Sequence, residues 1–175
     1  LSDESKTEGE AEYLFFPNGP EQVASVIRWC NEKGFPVQVS GARTGITGGC
    51  VPQGGAVLST DRLDRIVGTG SDRHGHFLRV QTGVRLSDID ALLVKGTEDL
   101  PEIIPGSSIG PGKMRYPVDP TERSASIGGT IATNASGARS YRYGPTRDWV
   151  RRLRVILPTG DLLEVTRGEV KAGED

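Results

Sequence analysis

Two glycine-rich stretches of this sequence decide how it folds and what it binds: Ser40-Gly41-Ala42-Arg43-Thr44-Gly45-Ile46-Thr47-Gly48-Gly49 and Ser126-Ile127-Gly128-Gly129-Thr130-Ile131-Ala132-Thr133-Asn134-Ala135-Ser136-Gly137. We call them the first and the second glycine segment. Glycine has no Cβ and tolerates positive φ, so consecutive backbone N–H groups can converge on one anion. One such loop is weak evidence, because glycine-rich turns are common. Two of them, with Ser and Thr donors and few acids, predict a ligand with a long polyanionic centre, such as a dinucleotide.

The first glycine segment follows a predicted helix and a predicted strand. Asn18 and Gly19 offer an N-cap. Pro20 suits the first helical turn, and apolar residues recur with helical spacing until Gly34. The stretch 37–39 then alternates as a strand and runs directly into the segment. The segment is therefore predicted to lie at the C-terminal end of a strand, where ligands bind in many α/β folds.

Further elements are predicted on either side of the second glycine segment. Short apolar runs predict strands over 56–59 and 77–82. Ser87 is predicted to cap a helix that ends at Gly96. Alternating apolar residues on both sides of the turn Pro158-Thr159-Gly160-Asp161 predict a β-hairpin over 152–165.

The second glycine segment is reached through residues 99–122, which are rich in Pro and Gly and show no period, as in a long ordered loop or a linker. Ser126 can cap a short helix that has Gly128 and Gly129 in its first turn, and its isoleucines are predicted to point into the core. Two interpretations of these glycines stay open. They leave free N–H groups for a phosphate at a helix N-terminus, or they allow a close crossing of helix and strand.

Two familiar nucleotide motifs are excluded. A Walker loop would need a glycine five residues before Gly112 and a Ser or Thr directly after Lys113. The chain has no glycine at the first position and has Met114 at the second. Neither glycine segment matches the GxGxxG fingerprint of a Rossmann fold. A dinucleotide would have to be held in another way.

The composition narrows the class of protein. The net charge of −2 and the pI near 5.8 argue against a general nucleic-acid binder. No apolar run is long enough for a transmembrane helix, and residues 1–13 have no apolar signal-peptide core. We therefore expect a cytoplasmic protein that binds no nucleic acid.

Several other residues carry weaker signals. His74 and His76 fit the tip of a hairpin better than a metal or acid–base site, and no metal site is predicted. Cys30 and Cys50 are interpreted as packing residues. Arginines crowd one stretch, either as a solvated face or as a positive rim for an anionic cofactor, substrate or partner. That stretch contains Arg139, Arg142, Arg147, Arg151, Arg152 and Arg154.

The order of these motifs resembles a known family. It resembles the FAD-binding domain of the vanillyl-alcohol oxidase type. The resemblance lies in the helix after Pro17, the stretch 37–49, Pro117-Val118-Asp119-Pro120-Thr121, the stretch 125–139 and Tyr143-Gly144. Within that family the chain is most similar to the branch of glycolate oxidase and D-lactate dehydrogenase. The resemblance covers nearly the whole chain from about Glu10 onward.

This resemblance implies an α+β fold in which FAD lies between two lobes. A small strand-helix lobe is expected over residues 1–65 and a larger mixed sheet flanked by helices over 66–175. Both glycine segments and the loop before the second would then line the cofactor. The implied cofactor-binding residues are Ser40, Gly41, Ala42, Arg43, Thr44, Gly45, Thr47, Gly48, Gly49, Asp119, Pro120, Ser126, Ile127, Gly128, Gly129, Ala132, Asn134, Gly137, Tyr143 and Gly144.

The resemblance also sets expectations about chemistry. Some relatives attach flavin through a histidine of the first loop; this chain has Arg43 and Thr44 there, so noncovalent FAD is expected. The reaction implied is oxidation of a 2-hydroxy acid such as glycolate or D-lactate, by hydride transfer to flavin N5. Relatives acting on a sugar lactone or an ether-lipid precursor are alternatives, as is a flavin-binding or subunit-interaction module without turnover.

Family members continue into a substrate domain that supplies the catalytic base. We expect this chain to lack that domain and assign it no catalytic residue. A partner subunit or an external electron acceptor is a further expectation.

Overall fold

A three-stranded parallel sheet forms the first part of the fold. The computed structural model describes residues 1–169. The sheet contains β1 (Tyr13–Phe15), β2 (Val37–Ser40) and β3 (Ala56–Ser59), in the order β1-β3-β2. Helix α1 (Pro20–Lys33) connects β1 to β2. The central strand β3 is buried along its whole length, as expected for a strand covered on both faces.

Aromatic side chains join α1 to this sheet. Trp29 of α1 packs edge-on against Tyr13 of β1, with ring centroids 5.1 Å apart, and stacks on Phe35 at 5.7 Å. Gly34 ends the helix with a φ of 72°, and its N–H donates to Asn31 O. The glycine is needed there because a left-handed φ is unfavourable for other residues.

The second part of the fold is built around an apolar core between a hairpin and two helices. The hairpin consists of β4 (Ile66–Asp72) and β5 (Gly75–Val80), and the helices are α2 (Leu86–Lys95) and α3 (Ile127–Ala132). A hydrogen-bonded bridge pairs Arg85 with Ser126, so the residues that precede the two helices lie side by side. The buried members of the core are Val84, Leu86, Ile89, Leu93, Ile109, Ala125 and Ile127.

The chain then returns to the first part. A short helix α4 (Ser140–Tyr143) and a 3-10 helix (Thr146–Trp149) lead into β6 (Arg152–Ile156) and β7 (Leu162–Thr166), which pair antiparallel. The turn between β6 and β7 contacts α1. Its carbonyl groups accept hydrogen bonds from Arg28 Nη2, at 2.7 Å, and from Asn31 Nδ2, at 2.6 Å.

Most predicted elements are confirmed. The helix that starts at Pro20, the strand over 56–59, the short helix after Ser126 and the hairpin after residue 151 are all present. The predicted strand over 77–82 is β5, which begins and ends two residues earlier. Residues 99–122 contain no helix or named strand, as expected for a long ordered loop.

One strand was missed and one local prediction is wrong. Strand β4 was not predicted, because its glycines lower its apparent strand propensity. A Cβ on Gly70 would lie 2.2 Å from Phe77 Cζ, so this glycine makes room for the phenylalanine ring. The cap of α2 is Arg85 and not Ser87. The backbone N–H of Arg85 donates to the Asp88 carboxylate at 3.3 Å, and the helix begins two residues earlier than the serine suggests.

The α+β class is as predicted, with one difference in detail. Within residues 1–169, the strands that follow residue 65 form two separate antiparallel pairs where one larger mixed sheet was expected. The lobe boundaries, 1–65 and 66–175, stay a prediction, and residues 170–175 of the second lobe lie outside the described residues. Every described helix is too short or too polar to traverse a lipid bilayer.

Candidate cofactor site

The two glycine segments meet at Gly41 and Ser126. Gly41 directly follows β2, and Ser126 is the N-cap of α3. A Cβ on Gly41 would lie 2.8 Å from Ser126 Oγ and 3.9 Å from Thr60 Oγ1. Real Cβ atoms do not approach a heavy atom so closely, so the contact depends on the missing side chain. Residues far apart in sequence are thereby brought into one site.

The first glycine segment presents backbone N–H groups that are not used within the described part of the chain. In the part of the chain that the structure describes, the N–H groups of residues 42–47 donate to no other backbone carbonyl. Arg43 holds a φ of 60°, which is uncommon for a residue other than glycine. Unpaired N–H groups on a loop of this kind are what an anion requires. The segment therefore fits the pyrophosphate of a dinucleotide.

Arg43 also contributes to a small cavity beside the segment. Its Nη1 lies 3.4 Å from Asp61 Oδ2. The Arg43 side chain is 41% exposed and the Asp61 side chain is 34% exposed. The cavity has a volume of about 290 Å³ and is also lined by Asp64, Arg85 and Asp88. Since three carboxylates face it, this cavity does not suit a phosphate. The donors of the segment that remain for an anion are therefore those of its backbone.

The second glycine segment provides fewer donors than expected. Ile127 N donates to Val84 O and Gly128 N donates to Thr82 O, each at 2.8 Å. A Cβ on Gly128 would lie 2.7 Å from Thr82 Cβ, so this glycine serves a close crossing. Of the two interpretations left open for these glycines, the close crossing applies to Gly128, and neighbouring carbonyls already use the N–H groups of Ile127 and Gly128.

Gly129 is the exposed position in the first turn of α3. Its N–H makes only a long hydrogen bond, 3.4 Å, to the hydroxyl of Ser126. A ligand oxygen can compete for that N–H more easily than for the two shorter bonds. The helix therefore offers one donor, supported by the hydroxyl that caps it.

The loop before the second glycine segment packs against the end of that segment. A Cβ on Gly137 would lie 1.7 Å from Asp119 O, so only glycine fits there. Arg139 Nε and Nη2 lie 3.0 and 2.9 Å from Asp119 Oδ2. The structure thus brings Asp119, Pro120 and Gly137 together.

The last predicted site residues form a separate small network. The Asn134 side chain accepts a hydrogen bond from Arg147 N at 3.0 Å, and Trp149 Nε1 donates to Tyr143 O at 2.9 Å. Gly144 N donates to Ser140 O. These hydrogen bonds stay within residues 131–149 and shape the loop that follows α3. Whether Ala132, Asn134, Tyr143 and Gly144 contact a cofactor stays a prediction.

Sequence reasoning missed one residue at this site. Asp3 is only 9% exposed, and its carboxylate lies against the first glycine segment. The acidic N-terminal stretch gave no reason to single it out. The available signal was the Asp-x-Ser pattern at residues 3–5, which is typical of a turn in which the carboxylate accepts from the backbone two residues later.

A comparison with family models decides the family. A model described as FAD binding domain matches residues 11–166, which is most of the chain. The chain belongs to this FAD-binding domain family. The match includes both glycine segments of the FAD-binding domain and the loop between them, so the resemblance inferred from the motifs is confirmed and its cofactor is FAD.

Curated relatives of the FAD-binding domain are longer proteins. The chain is 38% identical to a D-lactate dehydrogenase of Anaerostipes hadrus, with 93% of this chain and 31% of the relative covered. It is 40% identical to a D-2-hydroxyglutarate dehydrogenase of Xanthomonas citri pv. viticola, with 90% and 30% covered. The chain therefore spans about one-third of the length of the relatives it matches.

Solved structures show the same fold at low sequence identity. The crystal structure of 6-hydroxy-D-nicotine oxidase from Arthrobacter nicotinovorans matches with a TM-score of 0.71 and 15% identity, covering 97% of this chain and 33% of that one. A chitooligosaccharide oxidase matches with a TM-score of 0.68 and 19% identity, covering 93% and 31%. These matches confirm the fold of an FAD-binding domain.

Proposed function

We propose that this domain holds FAD noncovalently, with the pyrophosphate on the backbone of the first glycine segment and Gly129 as a further donor. The observation that carries the proposal is the set of unpaired N–H groups over residues 42–47 beside the cap of α3. Strands β2 and β3 flank the first glycine segment, and Gly129 lies in the capped helix α3. A pre-formed set of donors lowers the entropic cost of ordering the site on binding.

The noncovalent mode is supported by the residues of the first segment. It contains no histidine, and Arg43 at its centre is paired with Asp61. An arginine guanidinium stays protonated and does not act as the nucleophile that a covalent flavin link needs. We infer that flavin leaves the protein when the fold is lost.

The substrate class proposed for the whole protein is a 2-hydroxy acid. Support comes from the relatives, whose names are D-lactate dehydrogenase and D-2-hydroxyglutarate dehydrogenase. Bound FAD supplies two-electron oxidation, taking a hydride at N5 from the α-carbon while the hydroxyl proton goes to a base. The residues of this chain are proposed to bind and orient the cofactor, and none of them is assigned as the base. Glycolate is an alternative within the same substrate class.

The remaining expectations are also proposals. A cytoplasmic location, the lack of nucleic-acid binding and contact with a partner subunit or electron acceptor rest on the sequence arguments above. The arginine-rich stretch supports such a contact less than expected, since Arg139, Arg151 and Arg154 are already paired with carboxylates of this chain.

A titration with FAD tests the binding proposal. Wild-type protein is expected to quench flavin fluorescence with a saturable curve, and Gly129→Glu to abolish the quenching, because its carboxylate would repel the pyrophosphate at the start of α3. Val94→Glu is the matched control: it adds the same charge to α2 at a side chain that is 72% exposed. FAD binding at wild-type strength by Gly129→Glu would refute the placement of the pyrophosphate.

Acid precipitation of the loaded protein tests the noncovalent mode. We expect all flavin absorbance in the supernatant. Flavin retained in the washed pellet would contradict the proposal even if the titration succeeds.

A further inference from the structure

The N-terminal stretch of residues 1–10 lies beside the first glycine segment. Ser2 bridges Glu8 in an antiparallel turn, and Glu10 pairs in parallel with Gln53. Gly54 N donates to Glu10 O at 2.8 Å, which fastens the end of the stretch to the loop after the glycine segment. The stretch therefore has a defined position against that loop.

One carboxylate of this stretch is buried. Asp3 is 9% exposed, although aspartates are rarely buried unless they are paired. No Lys, Arg or His among residues 1–169 forms an ion pair with it. Its charge must therefore be balanced by hydrogen-bond donors.

Those donors come from its own turn and from the residue that follows the first glycine segment. Oδ1 accepts from Ser5 N at 2.9 Å, and Oδ2 accepts from the Cys50 thiol at 3.7 Å. Oδ2 would also lie 3.8 Å from a Cβ on Gly45. One carboxylate thus contacts Cys50, the residue that follows the segment, and lies close to Gly45 in its middle.

The electrostatics agree with this geometry. A hydrogen bond from the Ser5 side chain, with smaller effects of the Ser5 backbone, the Cys50 thiol and the Gly48 backbone, holds the pKa of the Asp3 carboxyl below its ordinary value against the effect of burial. Burial and then the Asp3 charge raise the pKa of the Cys50 thiol, while Arg43 opposes them. The aspartate is therefore the charged member of this pair and the cysteine is the protonated donor.

We propose that Asp3 is a positioning residue for the cofactor, an internal anion that fixes the second half of the first glycine segment. Asp3 engages Cys50 and the Gly45–Gly48 region and leaves the N–H groups of residues 42–47 without an internal partner. The segment keeps its shape without using the donors that the pyrophosphate needs. This inference rests on the proposed FAD site.

Removal of the carboxylate should loosen the segment and weaken FAD binding. In Asp3→Ala, Ser5 N and the Cys50 thiol lose their acceptor, so the segment must be ordered when FAD binds. We expect the FAD dissociation constant to rise about tenfold, which corresponds to the loss of a hydrogen bond to a charged group. Asp3→Asn should bind FAD with intermediate affinity, because its amide oxygen can still accept from Ser5 N. Glu4→Ala, an exposed neighbouring carboxylate, is the control and should match wild type.

Two readouts need no FAD. Trypsin should cleave after Arg43 several times faster in Asp3→Ala than in Glu4→Ala, because exposed mobile loops are cut most readily. In Asp3→Asn the Cys50 thiol should react faster with iodoacetamide at pH 8, since its pKa falls when the neighbouring charge is removed. Buried Cys30 gives an internal reference in the same peptide map.

The outcomes distinguish a failure of this inference from a failure of the proposed function. Tighter FAD binding by Asp3→Ala would overturn the inference and show that the carboxylate competes with the cofactor. Unchanged tryptic cleavage and unchanged Cys50 reactivity would overturn it as well. If wild-type protein binds no FAD while both FAD-free readouts change as expected, the proposed function fails and the positioning of the segment by Asp3 stands.

Discussion

Gly41 is the residue at which the account of the site can be tested most locally. In Gly41→Ala the new Cβ would lie 2.8 Å from Ser126 Oγ, so we expect a loss of about 1–3 kcal/mol in the free energy of unfolding. Ser126→Ala alone should cost about 1 kcal/mol through the lost N-cap. In the double variant the methyl group no longer meets the hydroxyl, so the alanine at position 41 should cost less than in wild type.

Urea denaturation of wild type, both single variants and the double variant measures this coupling. Strict additivity would mean that the two glycine segments do not touch at this point. Gly110→Ala is a suitable control for a glycine replacement, because its nearest contact would be Lys113 Cγ at an ordinary 3.5 Å.

The sequence suggests which residues form the candidate site more readily than it suggests the role of each residue. The run of glycines and hydroxyls in both segments predicts a polyanion, and the family match agrees. The sequence does not distinguish Gly128, whose N–H is bonded to Thr82 O, from Gly129, whose N–H is nearly free. Nor does it single out Asp3, because its contact with Cys50 depends on how residues 1–10 fold over a loop distant in sequence.

At the scale of elements, the long loop after α2 is held by one of its own carboxylates. The Glu102 side chain accepts from Gly106 N at 2.8 Å, from Ser108 N at 3.0 Å and from the Ser108 hydroxyl. The hydrogen bond from the Ser108 side chain, followed by that from Gly106 N, lowers the pKa of the Glu102 carboxyl. The ionised form is therefore the one that orders the loop.

The pH dependence of stability follows from that direction. The contribution of Glu102 is fully present above the pKa of an unfolded glutamate, about 4.3, and is lost as the pH falls through its lower folded pKa. Glu102→Gln should be less stable than wild type at pH 7, and the difference should shrink toward pH 3. Urea denaturation at both pH values measures this, with exposed Glu98→Gln as control. A difference that is the same at both pH values would contradict the role given to the carboxylate.

Elements with a clear period were predictable, and those shaped by tertiary contacts were not. Helix α1 has an apolar stripe, a proline at its start and a glycine at its end. Strand β4 contains Gly68 and Gly70, whose missing side chains admit Ile103 and Phe77 from neighbouring elements. Such glycines indicate a turn when the sequence is considered alone, because the ring or backbone that fills the space lies elsewhere in the chain.

At the scale of the whole molecule, the site depends on contacts between distant parts of the chain. The first segment lies between β2 and β3 of the parallel sheet, and the second follows α2 and β4–β5, which pack in the apolar core. The turn of the β6–β7 hairpin is hydrogen-bonded to α1 through Arg28 and Asn31, so the end of the described chain returns to its beginning. The cofactor site is therefore a property of the assembled fold and not of either segment alone.

The most direct test of the central claim is a titration of ¹⁵N-labelled protein with FAD, followed through the backbone amide resonances. The account predicts saturable shifts at residues 42–47 and at Gly129, with the amide of exposed Val94 on α2 unchanged. Saturable binding that leaves the amides of residues 42–47 unperturbed, or no binding at all, would contradict the claim that the first glycine segment holds the pyrophosphate.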